Sequence, residues 1–62
     1  MKDVEYAEIG VETLGETDLA VRFSDGDETF WIPKSLMKKY PDIGDTGTAE
    51  VEEWFLEKEG LI

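Results

Sequence analysis

The chain has 62 residues, 16 acidic side chains against six basic ones, a formal net charge of −10, and neither cysteine nor histidine. These values exclude a disulfide framework, the usual zinc constellations and thiol or imidazole chemistry, and they set electrostatics against free DNA and anionic membranes as partners. Hydrophobic residues still make up 40% and aromatics 11%, the composition of a folded body with an anionic coat rather than of a disordered acidic tail.

Residues 1–62 make one acidic, β-rich domain. A chain of this size buries only about 60% of its unfolded surface, so its core has to be used efficiently. No apolar run approaches the roughly 20 residues that span a bilayer. The start, Met1-Lys2-Asp3-Val4-Glu5, lacks the basic and then apolar order of a signal peptide. The expectation is a cytoplasmic protein.

The first predicted strand runs from about Val4 to Val11. Ala7, Ile9 and Val11 share one face while Val4 and Tyr6 point the other way, a parity break that predicts a bend or bulge. Parity also predicts a three-residue loop, Thr13-Leu14-Gly15, placing Ile9 opposite Leu19. From Thr17 to Ser24 the chain alternates, with Leu19, Val21 and Phe23 on one side and Asp18, Ala20, Arg22 and Ser24 on the other, the period of a half-buried strand. Asp25-Gly26 follows as a hairpin turn. A two-residue turn pairs Val21 with Phe30, Leu19 with Ile32 and Ala20 with Trp31, and leaves Arg22 diagonal to Trp31. Pro33 ends the third strand.

Ser35 is read as the cap of one helical turn carrying Leu36, Met37 and Tyr40, stopped by Pro41. Asp42 to Gly47 is turn chemistry. Thr48 to Val51 reads as a short strand with Ala49 and Val51 inward. Glu53 to Glu59 reads as a short helix presenting Trp54, Phe55 and Leu56, with Gly60 as a left-handed cap that folds Leu61 back on Leu56. The fold class is mainly β: a small antiparallel SH3-like half barrel of about four strands, with one helical turn and a short C-terminal helix. An open antiparallel sheet with the helix laid across it is the competing architecture.

Catalytic signals are weak. The only serines, Ser24 and Ser35, sit beside a turn and at a cap, and nothing selects a carboxylate pair for acid–base work. Asp25, Asp27 and Glu28 crowd the hairpin tip and Asp42 and Asp45 share a turn, but the twelve-residue calcium-loop pattern is absent. The reading is a protein that is not an enzyme and holds no metal or cofactor.

The basic residues are few and local. From Thr29 to Pro41 there is no carboxylate, while Lys34, Lys38 and Lys39 all fall there. With Arg22 and Trp31 they suggest one aromatic and basic patch, suited to a protein contact or to single-stranded nucleic acid. The alternative is that Trp31 packs under the C-terminal helix, against Trp54 or Phe55, with Arg22 over its ring.

Trp31-Ile32-Pro33-Lys34-Ser35, then Gly44-Asp45-Thr46-Gly47, then Trp54 followed by Gly60-Leu61, resembles a pattern shared by small uncharacterised bacteriophage proteins, over residues 18–62. The resemblance implies a phage origin, and hence the host cytoplasm, and suggests an accessory factor that retunes a host or phage enzyme; it implies no functional residues. The leading functional reading is therefore a small acidic accessory protein engaging a basic surface of a host or phage protein, a nucleic-acid-processing or defence enzyme being the favoured class, through Glu50, Glu53 and Glu57. The alternatives are an accessory nucleic-acid binder using Trp31, Arg22, Lys34, Lys38 and Lys39, and a structural homo-oligomer formed through a strand edge.

Overall fold

The structure, a computed structural model, describes residues 4–62; Met1, Lys2 and Asp3, on which the reading of the N-terminal charge pattern partly rests, lie outside them. The elements are β1 (Tyr6–Glu16), β2 (Ala20–Ser24), β3 (Thr29–Pro33), a 3-10 turn (Lys34–Leu36), β4 (Met37–Lys39), β5 (Thr46–Glu52) and α1 (Glu53–Lys58). All pairings are antiparallel, in one open five-stranded sheet of order β3-β2-β1-β5-β4. The fold is the expected small half barrel, with one strand more than the sequence suggests.

The long central strand β1 explains how so short a chain closes around a core. Val11 and Thr13 are buried while Glu8, Gly10, Glu12 and Leu14 are exposed, so the strand alternates strictly along this stretch. Its first half pairs with β5, Ala7 opposite Val51 and Ile9 opposite Ala49, and its second half with β2, Thr13 opposite Phe23. Between Thr13 and Gly15 the register shifts, because Leu14 is an extra residue facing the partner strand. Such a bulge bends and twists a strand, so β1 serves both halves of the sheet.

The bend expected from Val4 and Tyr6 is not found, since the register runs without interruption from Tyr6 to Glu12; the bulge of β1 sits at Leu14 instead. The predicted loop Thr13-Leu14-Gly15 is overturned: β1 continues to Glu16 and the connection is Thr17-Asp18-Leu19. Leu19 is accordingly not a core residue and is 80% exposed. Thr13 misleads a sequence reading because a threonine beside a glycine looks like loop chemistry. It is fully buried, donating its hydroxyl to the Pro41 carbonyl at 2.7 Å, donating its N–H to Asp45 O at 3.1 Å and accepting from Gly44 N at 2.8 Å. These bonds pin the Pro41–Asp45 loop to β1.

The β2–β3 hairpin is present with its register moved by two residues. Ser24 faces Thr29, Phe23 faces Phe30, Arg22 faces Trp31 and Val21 faces Ile32. The loop is Asp25 to Glu28, closed by Asp25 N–H to Glu28 O at 3.1 Å. A two-residue shift preserves the side-chain period of a strand, so the inward set stays inward.

The helical turn is corrected more substantially. It begins at Lys34, one residue before the predicted cap, and Ser35 caps nothing. After three residues the chain extends again as β4 and pairs with β5.

The core is Val11, Val21, Phe23, Ile32, Ala49, Val51 and Leu56, with Ala7, Ile9, Phe30, Met37, Tyr40, Phe55 and Leu61 packed around it. Each large side chain contributes roughly 1.5–3 kcal/mol by leaving water. Phe23 sits among rings, its centroid 6.3 Å from Phe30 and 6.1 Å, edge-on, from Tyr40. Helix α1 covers this core with Leu56 and ends as its sequence predicts. Gly60 has φ +73°, Gly60 N–H bonds Glu57 O, and Leu61 N–H bonds Leu56 O at 2.8 Å, the paired bonds of a Schellman cap. Among the described residues no helix is long and apolar enough to cross a membrane.

Candidate interaction surfaces

Alternation decides where Trp31 goes. Phe30 and Ile32 take the core side of β3, so the indole stands on the outer face, 50% exposed. Leu56 anchors α1 on the core side instead, and the expectation that Trp31 packs beneath the helix is overturned. Trp54 is edge-on to Phe55 at 5.9 Å, and its indole N–H is bonded to Glu52. Arg22 is directly opposite Trp31 across the β2–β3 pair, and the bulge residue Leu14 lies on the far side of Arg22. An aliphatic side chain, a guanidinium and an indole thus share one row of the outer face.

The lysines do not join that row as a free cationic patch. Lys34 Nζ is 2.9 Å from Glu16 Oε2, Lys39 Nζ is 3.3 Å from Glu50 Oε2, and Lys38 Nζ stands 4.6 Å from the centroid of the Tyr6 ring. Each has an intramolecular partner supplied by a strand distant in sequence. Arg22 is in no ion pair among the described residues.

The carboxylates are arranged differently. Glu50 lies on β5 directly opposite Glu8 of β1, a like-charge cross-strand pair that works against stability and that Lys39 offsets from one side only. Glu12 and Glu52 belong to the same outer face, on β1 and β5. Glu53 and Glu57 follow on α1, one helical turn apart, again a like-charge neighbour pair. From Glu50 to Glu59 the chain carries five glutamates and a single lysine. Glu8 and Glu12 were missed as candidates; the signal was the alternation of Tyr6, Glu8, Gly10 and Glu12 along one side of β1.

At the hairpin tip the Asp25 carboxylate serves its own turn. Oδ1 accepts the N–H groups of Asp27 and Glu28, both at 2.8 Å. The bond from Glu28, then that from Asp27, holds its carboxyl below the ordinary value. A group lowered on folding stabilises the folded state above its unfolded value, and that contribution disappears as pH falls through the folded one. Asp25→Asn should therefore flatten part of the loss of stability below about pH 4, seen as a smaller shift of urea midpoint than wild type between pH 5 and pH 2. At the basic end, the hydrogen bond to Glu16 raises Lys34 above its usual value, so that contribution is complete at neutral pH and fades only as alkali titrates the ammonium.

A depression of about 230 Å³ lies between Gly10, Glu12, Ser24, Asp25, Gly26 and Thr46. It is open, and smaller than the roughly 300–1,000 Å³ that encloses a small ligand. No protein family, curated protein or solved structure matches the chain.

Proposed function

We propose that this chain is a small acidic accessory protein, of the phage type its sequence pattern resembles, that binds a basic surface of another protein and modulates it. The class of target that fits is a nucleic-acid-processing or defence enzyme, because such enzymes carry basic grooves. The observation that carries this reading is the asymmetry of charge commitment. Lys34, Lys38 and Lys39 are engaged within the molecule, while Glu8, Glu12, Glu53 and Glu57 have no ionic partner among the described residues. Like charges kept face to face, Glu8 with Glu50 and Glu53 with Glu57, reduce stability where a Lys–Glu pairing would add to it. Their retention has a use if a cationic surface lies over them in the complex.

The rival reading, nucleic-acid binding through Trp31, Arg22 and the lysines, needs those lysines to leave their partners and a polyanion to approach a body of charge −10. Two measurements separate the readings. Immobilised wild-type protein should capture basic proteins from a host lysate at low salt and release them as salt rises, and a Glu50→Lys, Glu53→Lys, Glu57→Lys variant should capture far less. Fluorescence titration with single-stranded and duplex DNA should show no sub-micromolar binding. DNA binding at that strength, lost when Lys34, Lys38 and Lys39 are changed to alanine, would replace this proposal with its rival.

A further inference from the structure

The two edges of the sheet are not equivalent. The β4 edge is three residues long, irregular in register, and carries Lys38 and Lys39, the devices by which proteins discourage strand addition. The β3 edge, Thr29 to Pro33, has no charged residue and belongs to the stretch Thr29–Pro41 that lacks carboxylates altogether.

The hydrogen-bond pattern shows which backbone groups that edge offers. Asp25 N–H bonds Glu28 O, and Lys34 N–H bonds Leu19 O. In an antiparallel ladder bonded pairs alternate with unbonded ones. With the β2–β3 register, these two bonds assign Phe30 and Ile32 to β2 and turn the N–H and C=O of Thr29 and Trp31 toward the open side, while the Pro33 carbonyl, at the N-cap of the 3-10 turn, accepts the first bond of that turn. Among the described residues none of the Thr29 and Trp31 groups has a backbone partner. Pro33 has no N–H to offer, but it stands at the end of the strand and leaves the two donors free.

We propose that the β3 edge pairs with the β3 edge of a second copy of this chain, antiparallel and about a two-fold axis at Trp31. In that register Trp31 N–H meets Trp31 C=O of the copy in both directions, and Thr29 N–H meets the remaining lone pair of the Pro33 C=O of the copy in both directions. The missing proline donors fall only on the Thr29 carbonyls. Continuing the register sets Glu28 opposite Lys34 of the copy at each end, beside the Glu16 that Lys34 already engages. On the outer face the two indoles become cross-strand neighbours, flanked by Arg22 of each copy, an aromatic pair between two guanidinium groups. The same residue, Trp31, thus provides the exposed ring and the central pair of free backbone groups.

Five-residue edges bury less than the roughly 1,200–2,000 Å² of a stable interface, and each copy carries −10, so the dimer is weak and salt strengthens it by screening. That sign is opposite to the one expected for a basic partner, and the two proposals stand or fall separately. Sedimentation equilibrium of the wild type from about 10 μM to about 1 mM, the range a small interface requires, should show the mass approaching two chains, at lower concentration in high salt than in low. Trp31→Lys should weaken the dimer by about tenfold or more, although it lowers the net repulsion, with its circular dichroism spectrum unchanged. Amide hydrogen exchange on the wild type gives a readout independent of any variant. The Thr29 and Trp31 amides should be unprotected when dilute and protected when concentrated, while Phe30 and Ile32 are protected in both. A chain that stays monomeric throughout, a dimer unaffected in the folded Trp31→Lys variant, or protection arising along Met37–Lys39 instead would overturn the proposal; the first result would leave the edge to a strand of some other protein.

Discussion

Phe23→Ala should leave the chain largely unfolded at 25 °C. Phe23 is fully buried, near the middle of the sheet, with Phe30 of β3 on one side and Tyr40 beyond β4 on the other. Truncating a core phenylalanine costs about 3–5 kcal/mol when the surroundings cannot collapse into the space. Collapse is restricted here because Phe30 and Tyr40 are held by different parts of the backbone. At roughly 0.05–0.15 kcal/mol per residue, a domain of this length has a total stability of about 3–9 kcal/mol, so one substitution removes most of it. Far-ultraviolet circular dichroism and a urea titration are sufficient checks. A variant with a wild-type urea midpoint would show that the ring is not a core element.

Gly26→Val should produce the second large loss, and for a different reason. A side chain at Gly26 meets nothing within 4 Å, so no clash is created, but the backbone there has φ +101°. That region is costly for a β-branched residue, by about 1–3 kcal/mol. In a domain of this size each kcal/mol lowers Tm by about 4–8 °C. The loop must turn at this residue for Ser24 to reach Thr29 and for Asp25 to gather the Asp27 and Glu28 amides. An unchanged Tm would mean that the loop takes another conformation.

Strand faces proved more legible than strand connections. Val21, Phe23, Ala49 and Val51 were placed inward by period alone, although Leu19, assigned to the same face, is exposed, and Gly60 marked its helix end because a left-handed cap has little alternative to glycine. Asp25-Gly26 announced a hairpin but not its length, since the bonds that lengthen the loop come from a carboxylate folding back on its own turn. Thr13 looked like loop chemistry and is instead a buried clasp to a segment 28 positions away, which local pattern cannot reveal. Strand β4 was hidden because three residues carry no periodicity; the spacing of Leu36, Met37 and Tyr40 suits a helical turn equally well.

The interaction surfaces divide along the same line. Arg22 beside Trp31 follows from alternation within one hairpin, with the register error changing the partner from diagonal to direct. The apparent basic patch did not persist as a patch, because what happens to a lysine depends on partners supplied by long-range pairing: Glu16 for Lys34, Glu50 for Lys39 and Tyr6 for Lys38.

We propose recognition through the carboxylate surface of β1, β5 and α1 rather than through the lysines. The most direct test is the association rate constant for a captured basic partner, measured against ionic strength for three proteins: wild type, the Glu50→Lys, Glu53→Lys, Glu57→Lys variant, and a Lys38→Ala, Lys39→Ala variant. Electrostatic attraction acts over about 8 Å at physiological salt and acts mainly on association. The wild-type rate should fall steeply with salt, the reversed variant should be about tenfold or more slower at low salt and nearly insensitive to it, and the lysine variant should stay close to wild type. A rate that is independent of salt, or one that drops with the lysines and survives reversal of the acids, would contradict this proposal.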